Sequence, residues 1–375
     1  MAEGVRLYAG TQDGVVIWRS KNGGWEEVSR SFAGSIMDSI AGCRQHPERV
    51  FLGVTHDGLY RTEDGGHKWT KVLEGDVRSV TIDPTDDKVI YAGTEPVHLY
   101  RSEDGGDTWE GLTSLMTFAI SRGVRFFQTF VLKREQHPEE VRKKWWFPRP
   151  PHLAHITHIF IHPHDPKIIY LSIEHGGILR SLNRGESWED VSGGIDYLDI
   201  HVIKNLPHSL ERYYVSSARG FFTSCDPAQG WVRAENGFTR DYFHDFLFLP
   251  PSNKDENPTM LIATADQSPG HWDRPQNARS AVFRSFDCAQ TWHRVGRALP
   301  EILEAMVWAL ADHPHDPNAV FAGLGNVGRG YALPLPHYSG SGGAGTVLLT
   351  RDRGESWQKL DIELPPDRVL WAAAD

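Results

Sequence analysis

Apolar and polar positions alternate over short runs along most of the chain. One unit reads Val77-Arg-Ser-Val-Thr-Ile-Asp-Pro84, then Val89-Ile-Tyr-Ala-Gly-Thr94, then Tyr100-Arg-Ser102. A period of two predicts half-buried strands, and the Pro-containing turn that closes the first run separates it from the second. The same order returns at Ile156–Pro163 with Ile168–Ile173, and at Val307–Pro314 with Ala319–Gly323. Helix is expected only over Pro138-Glu-Glu-Val-Arg-Lys-Lys-Trp-Trp146.

Each unit ends in Ser/Thr-x-Asp/Asn-x-Gly-x-x-Trp. The copies are Thr62–Trp69, Ser102–Trp109, Ser181–Trp188, Ser285–Trp292 and Thr350–Trp357, with a worn one at Ser224–Trp231 and a shortened one at Ser20–Trp25. An Asp or Asn side chain bonds nearby backbone N–H groups, and Gly supplies positive φ without steric cost. The Trp then opens the next strand and buries a large ring. This is chemistry that locks a hairpin, and it assigns the motif carboxylates to structure.

On these residues the chain resembles the Asp-box (BNR) repeat proteins, the sialidase-like, sortilin-like and glycosyl-hydrolase-like β-propellers, over nearly its whole length. The resemblance implies an all-β, seven-bladed propeller of four-stranded blades, with strands a to d running from the axis outward. The units fall at roughly 4–31, 34–73, 76–112, 154–193, 196–236, 240–298 and 305–362. The first lacks its own strand a, because it opens directly at Leu7-Tyr-Ala-Gly-Thr11. The tail 367–375, with Arg368-Val-Leu-Trp-Ala-Ala-Ala374, is expected to complete blade one and leave no long free edge, making residues 1–375 a single domain.

Composition narrows the function classes. With 39% hydrophobic residues, 13 Trp and 17 Phe, there is ample material for a core. A net charge of −10 lacks the cationic excess that binds nucleic acid, so no such partner is expected. No apolar run approaches a membrane span. Cys43, Cys225 and Cys288 are far apart and lack CxxC spacing, which argues against a disulfide framework. A cytoplasmic monomer or weak homo-oligomer is the expectation, and no nucleotide or flavin motif is seen.

In a four-stranded blade the b–c and d–a connections share one face, and the long departures from the repeat all fall there. They are a lid-like insertion at 113–153, and loops from Asp266 to Ala278 and from Gly325 to Ser339. Long aromatic loops gathered on one rim point to use. Counting back from the Pro of each inner strand puts Asp38, Arg78, Thr157-His158, His201, His244-Asp245 and Trp308 near the axis on that face, with Trp371 as the blade-one equivalent. His56, His98 and His175 occupy short b–c turns. Neutral imidazoles beside carboxylates serve acid–base catalysis or hold a divalent metal, although 19 His residues would place some there by composition alone. The candidate catalytic set is His158, His201, His244, Asp245 and Arg78, with Asp199 nearby; His158, His201 and His244 form the candidate metal set. Trp308, Trp371, Trp272, Asp273, Arg274, Tyr338 and Trp146 are candidate contacts for a small polar or carbohydrate ligand.

Two functions stay open. One is a hydrolase-like enzyme with a lidded pocket; the resemblance does not extend to a sialidase, because Val5-Arg-Leu-Tyr8 does not match that family's early arginine motif. The other is a non-catalytic scaffold that docks a peptide, protein or glycan on its aromatic rim.

Overall fold

A computed structural model describes residues 4–121, 154–207, 209–253, 256–269, 278–297, 299, 303–325, 345–365 and 367–374. Seven antiparallel sheets of four strands form a ring, as the repeat predicts. The innermost strands are Met37–Gly42, Asp76–Asp83, Ile156–Ile161, Ile200–Leu206, Tyr242–Leu249, Met306–Asp312 and Asp367–Ala374. Each touches the next around the axis, and the last returns to the first. Strand Asp367–Ala374 pairs with Val5–Thr11 and completes blade one.

The inner strands share one irregularity. Register slips by a residue between Met37 and Ser39, Val77 and Ser79, Ile156 and His158, Ile200 and Val202, and Val307 and Ala309, and likewise by one between Phe243 and Phe246, where two residues oppose one. These β-bulges set Asp38, Arg78, Thr157, His201, His244-Asp245 and Trp308 outside the ladder. A bulge re-aims its side chain, and here it does so at the wide end of every inner strand. In the closing strand Thr11 faces Asp367 and Gly10 faces Val369, so Arg368 takes the bulge. Trp371 was expected at that position, but it pairs with Tyr8, three residues further along.

The repeated turns are built as their chemistry requires. In blade two Asp64 Oδ1 accepts from His67 N at 3.1 Å and Lys68 N at 2.9 Å, while Thr62 Oγ1 accepts from Gly66 N at 2.9 Å. Gly66 has φ +93°, and an added Cβ would lie 1.9 Å from Ile17 Cδ1 of blade one, so this Gly is required by both conformation and packing. Blade six tolerates Ala289 at the same place with φ +65°. The motif tryptophans are not equivalent: Trp188, Trp231, Trp292 and Trp357 are buried, whereas Trp25, Trp69 and Trp109 are half-buried.

The insertion begins with helix α1 (Ser114–Ser121), which the repeat pattern did not announce. It buries Leu115 and Phe118 among the apolar residues between blades three and four. Ser114 Oγ donates to the Gly185 carbonyl and accepts from Trp188 Nε1 at 3.2 Å. The described start of the insertion is therefore held beside the turn motif of blade four, on the opposite face from the bulges. The expected helix at 138–146 and the lid it would form lie outside the described residues, as do Trp146, Trp272, Asp273, Arg274 and Tyr338.

Candidate functional site

The bulged ends of the inner strands form the mouth of the axial channel. Two residues before each bulge, at or just ahead of the start of strand a, one residue faces another at or just past the end of strand b. The pairs are Ile36 with Thr55, Asp76 with Glu95, His155 with Glu174, Asp199 with Ala218, Tyr242 with Ala265, and Met306 with Gly325. Ionisable residues therefore crowd blades three to five. The side of blades six and seven is aromatic and aliphatic, where Tyr242, Ala265, Ala278, Met306 and Trp308 pack with Ala218 and Tyr197.

The charged side is one continuous network. Arg78, whose side chain is 9% exposed, bridges Asp38, Asp76 at 3.0 Å and Glu95 at 2.7 Å. Burial disfavours the guanidinium charge, but Asp38, Glu95 and Asp76 outweigh that and raise its pKa. Glu95 passes the chain of contacts to His155 Nδ1 at 3.5 Å, and His155 Nδ1 lies 2.8 Å from Glu174. Glu174 also contacts His175 Nε2 at 3.2 Å, and Asp199 Oδ1 lies 3.7 Å from His201 Nε2. Burial works against charge on His155, yet the Glu174 carboxylate raises its pKa. Burial likewise opposes ionisation of Glu174, but His155 and His175 hold its carboxyl well below the usual range. Burial pushes the Asp199 carboxyl up, and Glu174 adds to this. Burial, with Asp199 alongside, raises Tyr197 to about 12.

The sequence-derived candidates divide by what their polar atoms do. Arg78 sits in the network, and Asp199 and His201 at its end. His201 Nδ1 donates to the Phe243 carbonyl at 2.6 Å, and His244 Nδ1 to the Trp308 carbonyl at 2.8 Å. Trp308 Nε1 donates in turn to the Gly325 carbonyl at 2.9 Å. Asp245 accepts from Leu310 N at 2.9 Å and Lys204 Nζ at 3.1 Å. His244 and Asp245 thus join blades five, six and seven. His158 lies past its bulge; burial, with the Lys204 charge, pushes its pKa down to about 3. Two groups of three His, Cys, Asp or Glu residues among the described ones bring ligand atoms within 4.8 Å of one another, and the trio His158, His201 and His244 is neither of them. They are Glu174, His175 and Asp199 at the mouth, and Cys43, His46 and Asp87 at the a–b turns.

Counting from Pro residues missed Asp76, Glu95, His155 and Glu174, because it looked only at bulge positions. Their signal is the repeat itself: Glu95 and Glu174 end strand b at the same offset, each facing the residue that starts strand a.

No protein-family model and no curated protein matches the sequence. Solved structures do. A GH74 enzyme from Niastella koreensis superposes with a TM-score of 0.58 at 14% identity, over 94% of this chain and 46% of that one. The GH74 xyloglucanase from Xanthomonas campestris gives 0.57 at 14% identity, over 96% and 47%. YCF48 bound to D1 peptide gives 0.50 at 17% identity, over 87% and 80%. The likeness is one of fold. This chain spans about half the length of the two GH74 structures.

Proposed function

We propose that this propeller is a hydrolase that takes a small polar, carbohydrate-like substrate at the channel mouth. The observation that carries the reading is the division of that mouth into an ionisable side and an aromatic one. Sugars present an apolar ring face and a polar edge, and such a division suits both. The half-buried Tyr197 provides the stacking surface. His155, held protonated against Glu174, is the proton donor, and Glu174 supplies fixed negative charge for a developing cation. The GH74 likeness supports a glycan as the ligand class, and the net charge of −10 argues against nucleic acid.

The test is release of reducing ends from a panel of neutral and acidic oligosaccharides. Wild-type protein is expected to cleave at least one, and His155→Gln to lose about 100-fold or more in kcat, the scale of a general acid. No cleavage by wild type, or unchanged kcat in the variant, overturns the reading. A non-catalytic scaffold is the second reading, favoured by the engagement of His201, His244 and Asp245 in bonds between blades. It requires binding of a peptide, protein or glycan without turnover.

A further inference from the structure

Three facts at the mouth converge on a cation. Glu174, His175 and Asp199 bring one ligand atom each within 4.8 Å of the others. Their side chains are 23%, 3% and 13% exposed, so the group is largely withdrawn from solvent. Asp199 Oδ1 is buried and accepts no hydrogen bond. A buried carboxylate oxygen left without a partner is costly, and most such atoms are satisfied by a donor or a metal.

The neighbour of that oxygen does not satisfy it. The Phe243 carbonyl can only accept, so the bond from His201 places a proton on Nδ1. The His201 Nε2 lies 3.7 Å from Asp199 Oδ1, beyond hydrogen-bond reach.

We propose that Glu174, His175 and Asp199 bind one divalent transition-metal ion at the propeller mouth. Two carboxylates and one imidazole suit zinc with its fourth position open, and His155 at 2.8 Å from Glu174 orients that carboxylate from outside. The site takes none of the trio His158, His201 and His244 suggested by sequence. The other group is different in kind: His46 Nδ1 lies 2.5 Å from Asp87 Oδ2, which also accepts from Cys43 Sγ at 3.5 Å. Unlike Asp199, its carboxylate leaves no buried oxygen without a partner.

The inference goes beyond the proposed hydrolysis and is read without it. Chelator-stripped protein is titrated with zinc chloride by equilibrium dialysis, and bound metal is counted by mass spectrometry. Wild type is expected to bind one zinc per chain, with Asp199→Asn and His175→Gln weakened about 100-fold or more. Asp87→Asn is expected to bind as wild type does. Cobalt substitution reads the wild-type protein alone, so the result does not hang on how a variant folds; visible d–d bands of a four-coordinate ion are expected. Absence of stoichiometric zinc in wild type, undiminished binding in Asp199→Asn, or loss of binding in Asp87→Asn overturns the site. Zinc binding without oligosaccharide cleavage would keep the site and remove the hydrolase; cleavage by stripped protein that takes up no zinc would do the reverse.

Discussion

Acid should unfold this propeller partly through one imidazole. His158 has a pKa near 3 in the folded chain because burial and the Lys204 charge disfavour its protonation. In the unfolded chain a histidine titrates near 6.5. Between those values the unfolded state binds a proton that the native state refuses, so stability rises with pH across the window and is lost on acidification. Above the unfolded value His158 contributes its full share. With about 1.36 kcal/mol per pH unit, moving from pH 7.5 to 4.5 removes about 2.7 kcal/mol through this residue. His158→Gln keeps a polar side chain of similar size and cannot titrate. Urea unfolding of both proteins at the two pH values measures the difference. The variant should be the less acid-sensitive by about 2–3 kcal/mol. Equal losses in both proteins would refute the argument, because they would mean that His158 is not held neutral by its surroundings.

Two further substitutions test the packing. Trp292 is 2% exposed, stacks on Phe238 at 4.7 Å and meets Phe221 edge-on at 5.3 Å, so Trp292→Ala should cost about 3–5 kcal/mol in denaturant unfolding. The half-buried Trp109 should cost clearly less, and equal costs would contradict the difference in burial. Asp245→Ala strands the Leu310 N–H and leaves the Lys204 ammonium with the Phe246 carbonyl in place of a carboxylate, and should cost about 1–3 kcal/mol. A calorimetric melting temperature equal to wild type would show that those bonds hold nothing together.

Much of this architecture could be read from spacing. The Ser/Thr, Asp/Asn, Gly and Trp of each turn act through local hydrogen bonds and left-handed backbone, which sequence displays directly. Counting back six residues from a Pro located the bulges at Arg78, Thr157, His201, His244 and Trp308, because that Pro marks a fixed distance along strand a, and Asp38 followed as the blade-two equivalent. The final strand has no such Pro, and the count passed over Arg368 to reach Trp371. The site was less legible for a different reason. His201 and His244 look alike in sequence, yet one faces a carboxylate through its far nitrogen and the other is tied to Trp308. Both give Nδ1 to a carbonyl of the next blade, so the distinction depends on what the fold sets opposite Nε2. Glu95, His155 and Glu174 meet only through pairing across strands and blades, so no local pattern joins them. Helix α1 was hidden because its eight residues, Ser114–Ser121, carry no cap or charge pattern that sets them apart from a linker.

The bulges also bear on how such a ring assembles. A circle of near-identical sheets could dock its units in the wrong sequence, a known hazard of repeated domains. Here four of the seven seams carry a side-chain contact at the bulge: Arg78 with Asp38 at one, the Thr157 hydroxyl on the Ile200 carbonyl at another, and an imidazole on the Phe243 and Trp308 carbonyls at the next two. A sheet inserted out of turn would set the Arg78 guanidinium against a neighbour without the Asp38 carboxylate. The seams thus favour the native order over a shuffled one.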